Sequence, residues 1–316
     1  MTDIKRKINI NFITIPIFIL LILMGFFLPE GVKSLVIHIM VLSIFAMAYD
    51  ICLGFTNQCS LGHSIFFGVG AYGVALSIIH FQTGLLSSFF ICIILGIILG
   101  LIAGIICVKL SEAYFVIVTA VFYAIFHLSA MNMTWLTGGD DGLAIHLPKI
   151  SLRFVEISLY DKIINYYFVL LVLIVSYFIL NRFVNSPLGK VFVAIKENEK
   201  RVKFLGYNVF LYKLIAFVIS GTFAALSGGL YAITLRYASA DFFSFHWSIL
   251  PVVWCLIGGI GTLFGPWIGV AIMYIFQYYI SSIWHYYLII FGIIILLILR
   301  ISKKGIFGYI IGRLQT

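Results

Sequence analysis

The chain has 316 residues, 63% of them hydrophobic and only 10% charged, with a formal net charge of +9. Soluble domains run at about 45–50% apolar and about 25% charged, so a mean hydropathy of +1.16 excludes an ordinary soluble fold. Continuous apolar runs of roughly 20 residues also exclude a transmembrane β-barrel, whose strands alternate over about 10 residues.

These features predict an all-α, polytopic transmembrane helical bundle of about 9–10 spans, with room for broken or re-entrant helices, forming a single domain over residues 1–316. In chain order the predicted spans are Ile8–Leu28, Ser34–Phe55, Ser60–His80, Leu85–Val108, Ala113–Met133, Ile163–Leu180, Leu214–Leu235, Ser248–Ile260, Pro266–Ser282 and Tyr286–Leu299. Lys5, Arg6 and Lys7 ahead of the first span resemble the head of a signal peptide. The apolar run is too long for one, and Pro29-Glu30 offers no small-residue cleavage site, so it reads as a transmembrane helix.

The second span contains Asp50. A carboxylate at a helix centre costs about 2.5–3.5 kcal/mol on the insertion scale, and Leu, Ile, Val and Phe return about 0.3–0.6 each. The eleven such residues between Leu35 and Phe55 therefore allow insertion. Two roles stay open for Asp50: a structural hydrogen bond to a neighbouring helix, which is the expected one, and a charged group facing the transport route.

Between the second and third spans lies a short polar break, Thr56–Ser60, followed by Leu61-Gly62-His63. Unwound backbone at membrane depth persists only where protein or a watery cavity satisfies it. Asn57, Gln58, Ser60, Gly62 and His63, with Asp50, are accordingly the candidate substrate-path residues. The alternative is a tight hairpin leading into a packing helix, to which Gly68, Gly70, Gly73, Ala71 and Ala75 would lend close contacts. The stretch Gly62–Gly73 is loosely echoed by Gly258–Gly269, which fits either paired transporter repeats or glycine used for packing.

The polar segment Thr134–Lys162 separates the fifth and sixth spans, and Arg182–Lys213 separates the sixth and seventh. In the second of these, Ser186 can cap a helix with Pro187 at its first position. Leu188, Val191, Phe192, Ile195, Val202 and Leu205 then recur at helical spacing, and Gly206 suits the helix end. Glu197 stands four residues before Arg201 and Glu199 four before Lys203, both in the favourable order. A basic amphipathic helix of this kind either docks a partner subunit, the preferred reading, or lies on membrane lipid.

With the N-terminus inside, Lys5, Arg6, Lys7, Lys109, Arg182, Lys190, Lys196, Lys200, Arg201, Lys203, Lys213, Arg300, Lys303, Lys304 and Arg313 share the cytoplasmic side, 15 of the 20 basic residues. The positive-inside rule then puts both termini and the 182–213 loop in the cytoplasm. The basic charge is topological, and no nucleic-acid partner is expected. The five cysteines fall in or beside spans without metal-type pairing, and none of the seven histidines has a ligand spacing, so neither metal nor cofactor is expected. Gly189-Lys190 is followed by Val191 and is not a phosphate-binding loop; no catalytic pattern emerges, and the chain is not expected to be an enzyme.

Five blocks in order carry a resemblance: Ala48–Gly73 (AYDICLGFTNQCSLGHSIFFGVGAYG), Thr137–Leu143 (TGGDDGL), Ser186–Glu199 (SPLGKVFVAIKENE), Leu205–Ala232 and Ile257–Gly269 (IGGIGTLFGPWIG). Together they resemble the LivM-type permease subunits of branched-chain amino acid ABC importers over nearly the whole chain. The resemblance implies a sister permease subunit, two ATP-binding subunits and an extracytoplasmic substrate-binding protein. It also implies a bacterial plasma membrane, the inner one in a Gram-negative cell. Leu, Ile or Val would be the substrate, with other small amino acids, amides or urea as competitors, and an ion-coupled secondary transporter as a more distant reading. By the same resemblance, Leu188, Phe192, Ile195, Glu199 and Gly206 would couple the chain to its ATPase. Where relatives have paired small residues before the Leu-Gly, this chain has Arg201-Val202 and Phe204, a bulkier and more basic surface.

Overall fold

The computed structural model describes residues 11–148, 150–152, 155–281 and 292. The helices among them are α1 (Asn11–Phe27), α2 (Glu30–Asp50), α3 (Ser64–Phe81), α4 (Leu85–Cys107), α5 (Glu112–Asn132), α6 (Thr134–Thr137), α7 (Lys162–Asn185), α8 (Pro187–Phe204), α9 (Val209–Leu235), α10 (Phe245–Gly258) and α11 (Phe264–Ser281). Six are long and apolar enough to cross a membrane: α2 with the wide π-turn Ile51–Phe55 that continues it, α3, α4, α5, α7 and α9. With 14 residues, α10 rises about 21 Å, short of a hydrocarbon core of about 30 Å. It forms one limb of a broken hairpin with α11, as the reading of broken helices anticipates.

The predicted spans Leu85–Val108 and Ala113–Met133 lie within one residue of α4 and α5. Two others are corrected. The break after α2 runs to His63, not Ser60, because protein groups satisfy its backbone: the Thr119 hydroxyl accepts from the Leu61 N–H at 3.1 Å. The start of α9 is Val209, not Leu214, because the Asn208 side chain caps it through the Leu211 N–H. The predicted span Tyr286–Leu299, apart from Gly292, lies outside the described residues, as do the basic clusters at both termini.

The core centres on α2, which is buried along 94% of its most apolar stretch between α7, α9, α10 and α11. Hydrogen bonds from Ser220 to the Ala48 carbonyl (2.6 Å) and from Ser227 to the Val41 carbonyl (2.7 Å) set α9 antiparallel to α2. Alongside, α3 approaches α9 so closely that a methyl group on Gly70 would strike the Ala225 carbonyl, and one on Gly228 the Phe67 carbonyl. Next to both, α4 packs on α9 through Gly96, Gly100 and Gly104 and touches α3 at Gly73.

The bundle has two polar ends. One carries α8 together with the break after α2, the α4–α5 turn and the α10–α11 turn. The other carries α6, a 3-10 turn at Gly139–Asp141, the strand pair β1 (Leu143–Ala144) with β4 (Tyr237–Ala238), and the hairpin of β2 (Ile150–Leu152) and β3 (Val155–Ile157). Gly138, Gly139 and Gly142 of the TGGDDGL block all have positive φ, which accounts for the density of glycine there.

Candidate functional site

Asp50 ends α2 and is fully buried against protein. Its carboxylate accepts the N–H groups of Gly261 (2.8 Å), Thr262 (3.1 Å) and Leu263 (3.1 Å), the last three residues of the turn between α10 and α11. Gly261 and Leu263 both have positive φ, and Leu263 pays a steric penalty that the carboxylate offsets by fixing the turn. The structure thus places Asp50 in hydrogen bonds to the α10–α11 turn.

The other candidate path residues divide. Asn57 is exposed, has φ of 58°, and donates to Glu112 at 3.1 Å. Gln58 is buried; its carbonyl oxygen accepts from the Thr56 hydroxyl at 3.0 Å and its N–H donates to the Cys52 carbonyl. Ser60 is buried, its hydroxyl accepting from the Gly62 N–H and its carbonyl from the Tyr49 hydroxyl. Gly62 lies flush on the Thr119 backbone. His63 lies deepest, edge-on to Tyr49, Phe66 and Phe217. Its Nε2 is 2.8 Å from the Ser220 hydroxyl; since that hydroxyl donates to Ala48, the Nε2 is assigned the proton. Its Nδ1 has no hydrogen-bond partner among the described residues. A cleft of about 320 Å³ opens at Asn57, Gln58 and Cys59 toward Glu112 and Lys213. The structure therefore joins Asp50 to the α10–α11 turn, and Asn57 and Gln58 to an open cleft, but seals Ser60, Gly62 and His63 inside the protein.

In α8, Ser186 caps the helix through the Gly189 N–H and Pro187 takes the first position, as predicted. One feature differs: Asn198 leaves helical geometry, splits α8 in two, and caps the second piece through the Arg201 N–H at 3.0 Å. The break parts Glu197 from Arg201, while Glu199 pairs with Lys203 (2.9 Å) and Lys213 of α9 (2.6 Å). Partial burial raises the Glu199 carboxyl, but the two lysine hydrogen bonds outweigh this and hold it below the ordinary value.

Gly206 has φ of 85° and closes α8 with paired bonds, its N–H to Lys203 and that of Tyr207 to Val202. Phe192 and Ile195 are buried within this chain, while Leu188 is partly buried and lines an open groove of about 440 Å³ with Val191, Val202 and Leu205. Toward its end α8 presents two strongly exposed apolar side chains, Phe204 at 91% and Leu205 at 70%.

Sequence reasoning missed Lys196, whose Nζ donates to the Gly54 carbonyl at 2.6 Å. It also missed Ser220 and Ser248, the latter donating to Ser64 at 2.7 Å while accepting the Ser64 N–H. Only the small polar residues within apolar helices hinted at them. The five cysteines are free thiols, four buried and Cys59 half-buried.

The family model described as "Branched-chain amino acid transport system / permease component" matches residues 31–299. The chain is 25% identical to the high-affinity branched-chain amino acid transport system permease protein LivM of Escherichia coli, over 96% of this chain and 76% of that protein. It is 24% identical to the protein of the same description from Salmonella typhimurium, over 89% and 71% of the respective chains. A probable branched-chain amino acid transport permease protein LivM of Methanocaldococcus jannaschii is 27% identical over 63% of this chain and 61% of that one. No solved structure matches. The match spans α2 to α11, including the Asp50 turn, the break and α8, so this multi-pass membrane protein belongs to the permease-component family of branched-chain amino acid transport systems.

Proposed function

We propose that this chain is the LivM-type permease of an ATP-driven importer for branched-chain amino acids. It lies in the bacterial plasma membrane, or the inner membrane of a Gram-negative cell, with both termini cytoplasmic. It forms the translocation path with a sister permease, receives substrate from an extracytoplasmic binding protein, and contacts ATP-binding subunits through the tip of α8. Hydrolysis belongs to those subunits, and this chain catalyses no reaction. The observation carrying the reading is the family match over 31–299, which includes α8. The geometry supports it: α8 is anchored by its own buried face at Phe192 and Ile195 and leaves Phe204 and Leu205 uncovered beyond the bundle. The coupling loop of the proposal is residues 182–213, and within it Leu188, Phe192 and Ile195 seat the helix, Glu199 ties it to α9, and Gly206 shapes its end.

The test is co-expression with a candidate sister permease and ATPases, followed by reconstitution with the binding protein in liposomes. ATP-dependent accumulation of labelled leucine is the expected result. Assembly and hydrolysis with accumulation of urea or an amide instead would overturn the substrate class, and uptake driven by an ion gradient without ATP would overturn the transport class.

A further inference from the structure

Three elements meet at one point at the α8 end. The Lys196 Nζ on α8 donates to the Gly54 carbonyl at 2.6 Å. Gly54 sits in the π-turn directly beside the Asp50 carboxylate: a Cβ there would collide with Asp50 Oδ1 and with the Gly261 nitrogen. Asp50 in turn grips the N–H groups of Gly261, Thr262 and Leu263. The contact is therefore continuous from α8 through the π-turn to the α10–α11 turn, with no room to absorb a shift between Gly54 and Asp50.

The position of the helix break adds a second observation. Among the described residues, α8 has two polar side-chain tethers to other helices and turns, Lys196 to Gly54 and Glu199 to Lys213 of α9, and Asn198 divides them. The second half of α8 is clamped to the start of α9 at the polar end of the bundle, while the first half holds the π-turn. A rotation of one half against the other about Asn198 moves the Lys196 ammonium relative to α9, and the π-turn with it.

We propose that Lys196 is a positioning residue of the transport cycle, passing displacement of α8 through Gly54 and Asp50 to the α10–α11 hairpin. This deepens the reading of α8 as the ATPase-facing helix and rests on it. The chemistry suits a moving tether: an ammonium on a four-carbon stem keeps its hydrogen bond over a range of helix positions, as a short neutral donor would not.

The experiment compares wild type with Lys196→Met and Lys196→Arg in two settings. In the complete reconstituted complex, Lys196→Met is expected to hydrolyse ATP within about twofold of wild type while leucine uptake falls about tenfold, the scale of one lost charge-assisted hydrogen bond. Lys196→Arg should recover most of the uptake. In the full-length permease alone, in lipid nanodiscs, amide hydrogen exchange over 259–264 should rise about tenfold in Lys196→Met and stay unchanged in Lys200→Met. Uptake close to wild type in Lys196→Met would overturn the proposal, as would uptake and hydrolysis falling together, which marks a residue needed only for assembly. The exchange measurement needs no partner. Unchanged exchange in Lys196→Met refutes the tether even if the importer works, and altered exchange with a wild-type complex that does not import upholds the tether while the transport reading fails.

Discussion

Asp50 bonds to residues 211 to 213 positions further along the chain, and its removal tests that turn directly. Asp50→Ala leaves three N–H groups without their acceptor, that of Leu263 buried and those of Gly261 and Thr262 partly buried, at about 1–3 kcal/mol each before relaxation. The expected outcome is a loss of about 3 kcal/mol or more in stability, read as a lowered unfolding temperature in detergent. Asp50→Asn keeps one carbonyl oxygen and should lose about half as much. A carboxylate in an apolar span is visible in the sequence as an anomaly, and so is its need for a protein partner. Which donors meet it is not visible, because the pairing depends on how α2 and the α10–α11 hairpin pack. The same limit applies to His63, since nothing near it along the chain signals its partner Ser220 on α9.

At the scale of the element, α8 separates two kinds of apolar residue that periodicity alone treats as one face. Phe192 is fully buried, so Phe192→Asp puts an unpaired charge into the chain's own core, and folded protein should be lost in size-exclusion profiles. Phe204→Asp changes a side chain already in solvent; the permease should purify normally while ATPase co-purification drops about tenfold. The link from α8 to α9 also titrates. With the Glu199 carboxyl held below its ordinary value, the pair with Lys203 and Lys213 contributes fully above about pH 4.5 and is lost as pH falls through the lowered value. Partial exposure keeps the effect small. The protection of 199–204 against hydrogen exchange, relative to the intrinsic rate at each pH, should fall on acidification in wild type, and Glu199→Gln should show the lower protection already at pH 7. The ends of α8 are legible because Ser186-Pro187 and Gly206 are strong local signals. The Asn198 break is masked because buried positions continue across it, from Ile195 to Val202, although an asparagine beside acidic residues is itself a capping signal.

For the whole molecule, the loops that share an end in the structure are those that the positive-inside count places together: Lys109, Arg182, α8 and Lys213 lie at one end, and Asp140, Asp141 and Asp161 at the other. In intact cells, a membrane-impermeant maleimide should label Asp140→Cys and leave Asn198→Cys unlabelled until the cells are opened; the reverse pattern would invert the proposed orientation. The span pattern is readable because hydrophobicity over about 20 residues decides insertion. The inner arrangement is less so, since burial of α2 and exposure of α4 and α5 follow from neighbours, not from composition. The glycine contacts that lock α3 and α4 onto α9 have a kinetic corollary. With backbone resting on backbone at Gly70 and Gly228, there are no side-chain rotamers to swap, and the contact can only hold or separate as a unit. In the transport reading proposed above, α3 and α9 would then serve as a stator. Alternation between inward and outward openings would be carried by parts joined to this pair through hydrogen bonds that can be exchanged, and the α10–α11 hairpin, tied to α3 through Ser248 and Ser64, is one of those parts.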